Sequence, residues 1–77
     1  MNLKKFESEW VKEKDKNPDY FIVELKNGAG IFTHAYKIVS PVDIQLYYAG
    51  EFIAYLRINM IESVRGFKSI KETLWGD

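Results

Sequence analysis

The sequence predicts an α+β fold in which an N-terminal helix precedes a strongly bent five-stranded antiparallel sheet, a small and partly open barrel. Three observations carry this expectation. Apolar residues recur at helical spacing at the start of the chain, where Leu3, Phe6 and Trp10 fall at i, i+3 and i+7 among charged neighbours. From Tyr20 onward the pattern changes to short β-branched and aromatic runs separated by Gly, Asn, Asp and Pro. The run from Val42 to Ile58 then resolves into a two-faced hairpin once Tyr48, Ala49 and Gly50 are set as a three-residue loop.

Residues 2–14 read as the helix, with Val11 beside its apolar stripe. That stripe is expected to cover the sheet or one end of it, a partner groove being the alternative. Asp15-Lys16-Asn17-Pro18-Asp19 stops the helix, because the residue before proline disfavours the helical region and Asn and Asp prefer turns. Tyr20 to Lys26 forms the first strand, with Phe21, Val23 and Leu25 on one side and Tyr20, Ile22, Glu24 and Lys26 on the other. Asn27-Gly28 turns the chain, and the following Ala29-Gly30 leaves two loop lengths open. A two-residue loop sets Val23 against Phe32 and Phe21 against His34; a three-residue loop sets Leu25 against Ile31 and sends His34 to the side of Ile22.

Gly30 to Val39 is the second strand, long enough to bend and serve both halves of a barrel. Ser40-Pro41 ends it. In the hairpin that follows, a left-handed Gly50 pairs Leu46 with Phe52, Ile44 with Ala54 and Val42 with Leu56, which makes one face wholly apolar. Asn59-Met60 forms a tight corner into a last strand, Ile61 to Phe67. Ser69-Ile70-Lys71-Glu72 has capping-box spacing, so 69–75 reads as a short helix or tail whose Ile70 and Leu74 cover an open edge.

The 77 residues form a single domain, 1–77, whose aromatic content of 16% argues for a ring-rich core. Cysteine is absent, which excludes a disulfide framework, a thiolate metal site and a cysteine nucleophile. Eleven basic and eleven acidic residues cancel, so no global field attracts nucleic acid or anionic lipid. With no apolar run of membrane-spanning length and a charged N-terminus, a cytoplasmic protein without membrane contact is expected.

Catalysis lacks the residues it needs. His34 is the single histidine, and on a strand between Thr33 and Ala35 it reads as a packed or hydrogen-bonded side chain. Glu9 and Glu13 share a helix face but alternate with lysines, and the glycines are spaced as turn residues. The expectation is a non-enzyme without metal or cofactor. An accessory role in an enzyme is a third option that singles out His34 and Glu24.

The polar face of the hairpin carries Asp43, Gln45, Tyr47, Glu51, Ile53, Tyr55 and Arg57, of which Tyr47, Ile53 and Tyr55 are too large and apolar for burial within the hairpin to explain. Tyr47, Ile53, Tyr55 and Arg57, rimmed by Asp43 and Glu51, have the composition of a protein-binding patch. Tyr47, Tyr55 and Arg57 are also the candidates for stacking unpaired bases, the alternative use of such a face.

Helix, first strand, Leu25-Lys26-Asn27-Gly28 and then Ile31 resemble, over Leu3 to Val64, the layout of SH3-like barrels and of Sm-like RNA-binding proteins. The resemblance implies an RNA-binding oligomer. No Asp-x-x-x-Asn precedes Ile44 and Gly66 follows Arg65, so the family's RNA-contact residues find no counterparts here. The leading expectation is therefore a small non-catalytic protein-binding domain, of the kind found among regulators, inhibitors and accessory subunits, including phage and mobile-element proteins, with another protein or a second copy as partner.

Overall fold

The computed structural model describes residues 1–69, and the short helix expected over 69–75 falls, but for Ser69, outside them. Helix α1 spans Leu3–Lys14. Asn2 caps it, its side-chain oxygen accepting from the Lys5 amide at 2.8 Å, and Lys12 and Lys14 place positive charge against the negative end of the helix dipole. Asn17 then takes a left-handed φ of 56°, and Pro18 leads the chain toward the sheet.

Six strands follow: β1 Tyr20–Leu25, β2 Gly30–Thr33, β3 Ala35–Ser40, β4 Asp43–Tyr48, β5 Glu51–Arg57 and β6 Ile61–Phe67. They form two antiparallel sheets, ordered β2-β1-β6 and β3-β4-β5. The single second strand expected from Gly30 to Val39 is thus divided at His34. Thr33, fully buried, explains the break, since its hydroxyl is shared between the carbonyls of Ala35 and Tyr47 at 3.0 and 2.8 Å and draws the chain across to β4. The expected five-stranded barrel is corrected accordingly. Neither sheet closes on itself, and β5 and β6 do not pair.

The helix stripe is used within the chain. Phe6 and Trp10 are buried with Phe21, Val23 and Leu25 of β1, Ile44 and Leu46 of β4, and Ile58, Ile61 and Val64. Trp10 stacks on Phe21 with ring centres 3.9 Å apart, and Tyr36 meets both Phe6 and Trp10 edge-on. Sequestering these rings is the main apolar gain open to so small a domain, which leaves no stripe to offer a partner.

Both hairpins depart from the expected registers. In the first, the Leu25 amide donates to the Ala29 carbonyl and the Gly28 amide to the Leu25 carbonyl, enclosing Lys26, Asn27 and Gly28. Val23 therefore faces Ile31, Ile22 faces Phe32, and Thr33, not His34, stands opposite Phe21. Gly28 supplies the positive φ, 92°, and the Asn27 side chain accepts from the Ala29 amide. In the second, Tyr48 pairs with Glu51 around a two-residue turn in which both Ala49 (φ 53°) and Gly50 (φ 80°) are left-handed. Leu46 consequently faces Ala54 and Ile44 faces Leu56. Ile53 is an extra residue on β5, and beyond it Phe52 pairs with Tyr47 instead of lying inside against Leu46. Phe52 is 55% exposed and Val42 53% exposed, so the hairpin's inner face is shorter than expected and consists of Ile44, Leu46, Ala54 and Leu56. The corner after β5 is the 3-10 turn Ile58–Met60.

Candidate functional site

Alternation along β4 sends Ile44 and Leu46 into the core, which leaves Asp43, Gln45 and Tyr47 on the outside. Register with β5 sets Gln45 beside Tyr55 and Asp43 beside Arg57. One oxygen of Asp43, Oδ2, accepts from the Tyr55 hydroxyl at 3.1 Å and from the Ser40 hydroxyl at 3.3 Å. The other, Oδ1, is buried with no hydrogen-bond partner, and Arg57 Nε stands 3.7 Å away. Crowding of its hydroxyl and donation to the Asp43 carboxylate both push the Tyr55 phenol above its ordinary range. Tyr47 donates to Gln45 Oε1 at 2.9 Å and meets Phe52 edge-on at 6.1 Å.

Four of the six expected residues, Asp43, Tyr47, Tyr55 and Arg57, are joined by these contacts and pairings into one surface with Gln45. Ile53 is 42% exposed at the extra position of β5, and Glu51 lies at the turn end of the strand. The addition is Phe52, which period-two alternation assigned to the core. No local signal marks it, because only the extra residue at Ile53 reverses its face.

His34 sits at the bend between the sheets. Its Nδ1 accepts from the Ala49 amide at 2.9 Å and its ring stacks on Tyr48 at 4.1 Å, so it secures the turn at Ala49-Gly50. Glu24, the other residue of the accessory-subunit option, lies across the first sheet, where Ser63 Oγ donates to its carboxylate at 3.4 Å; no contact joins it to His34. Among the described residues no group of three or more His, Asp or Glu side chains is arranged to hold a metal ion. No helix among them is long and apolar enough to cross a membrane.

A second aromatic row lies on the outer side of the other sheet. Tyr20 stacks between Phe32 at 5.2 Å and Phe67 at 5.8 Å, and the Arg65 guanidinium lies 5.5 Å from the Phe67 ring centre. These rings face one another across β2, β1 and β6, which braces the sheet, with Phe32 at the end of the row 53% exposed. Near the outer end of β5, an opening of about 230 Å³ is bounded by Asn2, Pro41, Val42, Arg57, Ile58 and Asn59, together with Met1. Comparison of the chain with protein families, with curated proteins and with solved structures returns no match.

Proposed function

We propose that this is a small non-catalytic domain that works by binding protein through the outer face of β4 and β5. The observation that carries the reading is the exposure of Phe52, Ile53 and Tyr55 at 55, 42 and 52% on one short strand. Large apolar side chains left in water on neighbouring positions gain by being covered, and an Arg with acids around them is the composition of a specific contact and not of a membrane-binding face. Asp43 supports the same reading: it holds Tyr55 by a hydrogen bond and Arg57 by charge, which limits the side-chain freedom lost on docking. Regulator, inhibitor and accessory subunit are the roles such a module fills.

The test is capture from the native host on immobilised protein, with bound proteins identified by mass spectrometry. Tyr55→Ala and Arg57→Ala should each weaken retention while circular dichroism and melting temperature stay close to those of the parent. Equal retention by both variants would refute the assignment of this face.

An Sm-like RNA-binding oligomer is the second reading, favoured by the opening at Arg57 and Asn59, which places donor groups beside the apolar walls of Val42 and Ile58. It expects a six- or seven-membered ring that carries absorbance at 260 nm through purification. A nucleic-acid-free monomer or dimer decides against it.

A further inference from the structure

We propose that Asn27 is a site of spontaneous covalent change, its side-chain amide condensing with the backbone nitrogen of Gly28, and that the turn between β1 and β2 holds the reaction back until the hairpin opens. The site lies apart from the face of β4 and β5 and does not depend on how that face is used. Asn27, Gly28 and Ala29 are all exposed to water. Two features of the turn favour the reaction. The Ala29 amide donates to Asn27 Oδ1 at 2.9 Å, which draws electrons from the Cγ carbon and steadies the oxygen as it takes up charge. Gly28 has no side chain to crowd its nitrogen, and a Cβ built there would meet no atom within 4 Å. A third feature opposes it, since the same nitrogen donates its hydrogen to the Leu25 carbonyl at 2.9 Å. Attack needs that hydrogen gone, so the contact to Leu25 must break first.

The Gly28 nitrogen gives up its proton and forms a bond to Asn27 Cγ; the side-chain nitrogen leaves with a proton as ammonia, and a five-membered imide remains. Water then opens the imide. Cleavage of the new bond to Cγ gives aspartate at position 27. Cleavage of the original peptide bond gives isoaspartate, whose main chain runs through Cβ and Cγ and is one carbon longer. Either product gives the balanced chain a net negative charge. Aspartate keeps an oxygen for the Ala29 amide, so the turn closes as before. Isoaspartate lengthens the loop that Leu25 and Ala29 close with a 2.8 Å bond, and the pairs beyond it, Val23 with Ile31 and Ile22 with Phe32, lose their register. Strand β2 is poorly placed to resist, having four residues and β1 as its neighbour on one side alone. The other asparagines lack this arrangement. Asn17 precedes Pro18, whose nitrogen has no hydrogen to give up, and Asn2 and Asn59 precede Leu3 and Met60, whose side chains hinder attack.

The full chain is held at physiological temperature and mildly alkaline pH, both folded and in urea, and peptide mapping by mass spectrometry follows a gain of about 1 Da. The gain should fall on the peptide that contains Asn27. The folded chain should react at least about tenfold more slowly than the unfolded one, the population factor that one hydrogen bond is worth. Asn27→Gln, whose longer side chain would have to close a six-membered ring, should remove the gain. Asn27→Asp should keep the circular dichroism spectrum and the amide shifts of β1 and β2, whereas the isolated isoaspartate form should shift the amides of Val23, Ile31 and Phe32. A folded chain that reacts as fast as the unfolded one, or faster, overturns control by the turn. A gain spread equally over Asn2 or Asn59 overturns the assignment to Asn27, and an isoaspartate form with unshifted hairpin amides overturns the loss of register.

Discussion

Single side chains divide the second hairpin into a half that holds the fold and a half that is available. Leu46 is fully buried and Tyr55 is 52% exposed, although they lie on the neighbouring strands β4 and β5. Leu46→Ala removes buried methyl groups and leaves a cavity, so it should lower the free energy of unfolding by ~2–5 kcal/mol in urea melts. Tyr55→Ala, measured the same way, should change it little. If Tyr55→Ala unfolds the protein, its ring supports the core and the proposed face is lost. Glu13 gives a pH-dependent case. The Gly66 amide that donates to it, followed by Lys16, holds its carboxyl below the ordinary carboxylate range. A lowered folded-state value means that Glu13 contributes stability above its unfolded-state value and loses it as pH falls through the folded-state value. Glu13→Gln should therefore melt below the parent at neutral pH, and the gap should narrow on acidification. A gap that is constant with pH would assign the effect to packing.

At the level of elements, the turn between β4 and β5 is the place where a sequence change has a calculable benefit. Ala49 holds a φ of 53°, a region that costs a residue with a Cβ ~1–2 kcal/mol, and Gly50 follows it in the same region. Asn tolerates this conformation, and Asn-Gly is the preferred pair for such a turn. Ala49→Asn should raise the unfolding free energy by ~0.5–1 kcal/mol in denaturant melts. Retention of the backbone contact to His34 can be followed by the chemical shift of the amide at position 49. The same residue shows why the register was illegible: Ala is an uncommon occupant of a left-handed site, so Tyr48-Ala49-Gly50 read as a loop of three with one left-handed glycine. Helix α1 was legible almost to the residue, because the apolar stripe and the stop at Asn17-Pro18 agree. The strands were legible as segments. Thr33 defeats the reading of β2 and β3 as one strand, since its hydroxyl contacts span fourteen residues to Tyr47 and no local pattern encodes them. Of the candidate face, Asp43, Tyr47, Tyr55 and Arg57 were legible from alternation in strands. Phe52 was hidden by the same rule, because alternation has no means of announcing an extra residue.

For the molecule as a whole, order in each sheet sets how firmly each strand is held. Strands β1 and β4 are central, bonded on both sides, and carry Val23, Ile44 and Leu46 at full burial. Strands β3 and β5 are bonded on one side and bury none of their residues completely. Strand β6 is also at an edge, but Glu9 and Glu13 of α1 accept its Val64 and Gly66 amides. Amide exchange follows the free energy of the smallest opening that frees each hydrogen, so buried strands with neighbours on both sides open only with the whole domain. Native-state hydrogen exchange should therefore find the slowest amides in β1 and β4 and faster ones in β5. Val64 and Gly66 should be protected although they lie on an edge, and Glu13→Gln should speed Gly66 more than Val23. The outward amides of β5, which is bonded to β4 alone, should exchange faster than those of β4, which has a neighbour on both sides. Protection in β5 equal to that in β4 would mean that its edge is covered, and the order of exposure derived from the sheets would then have to be abandoned.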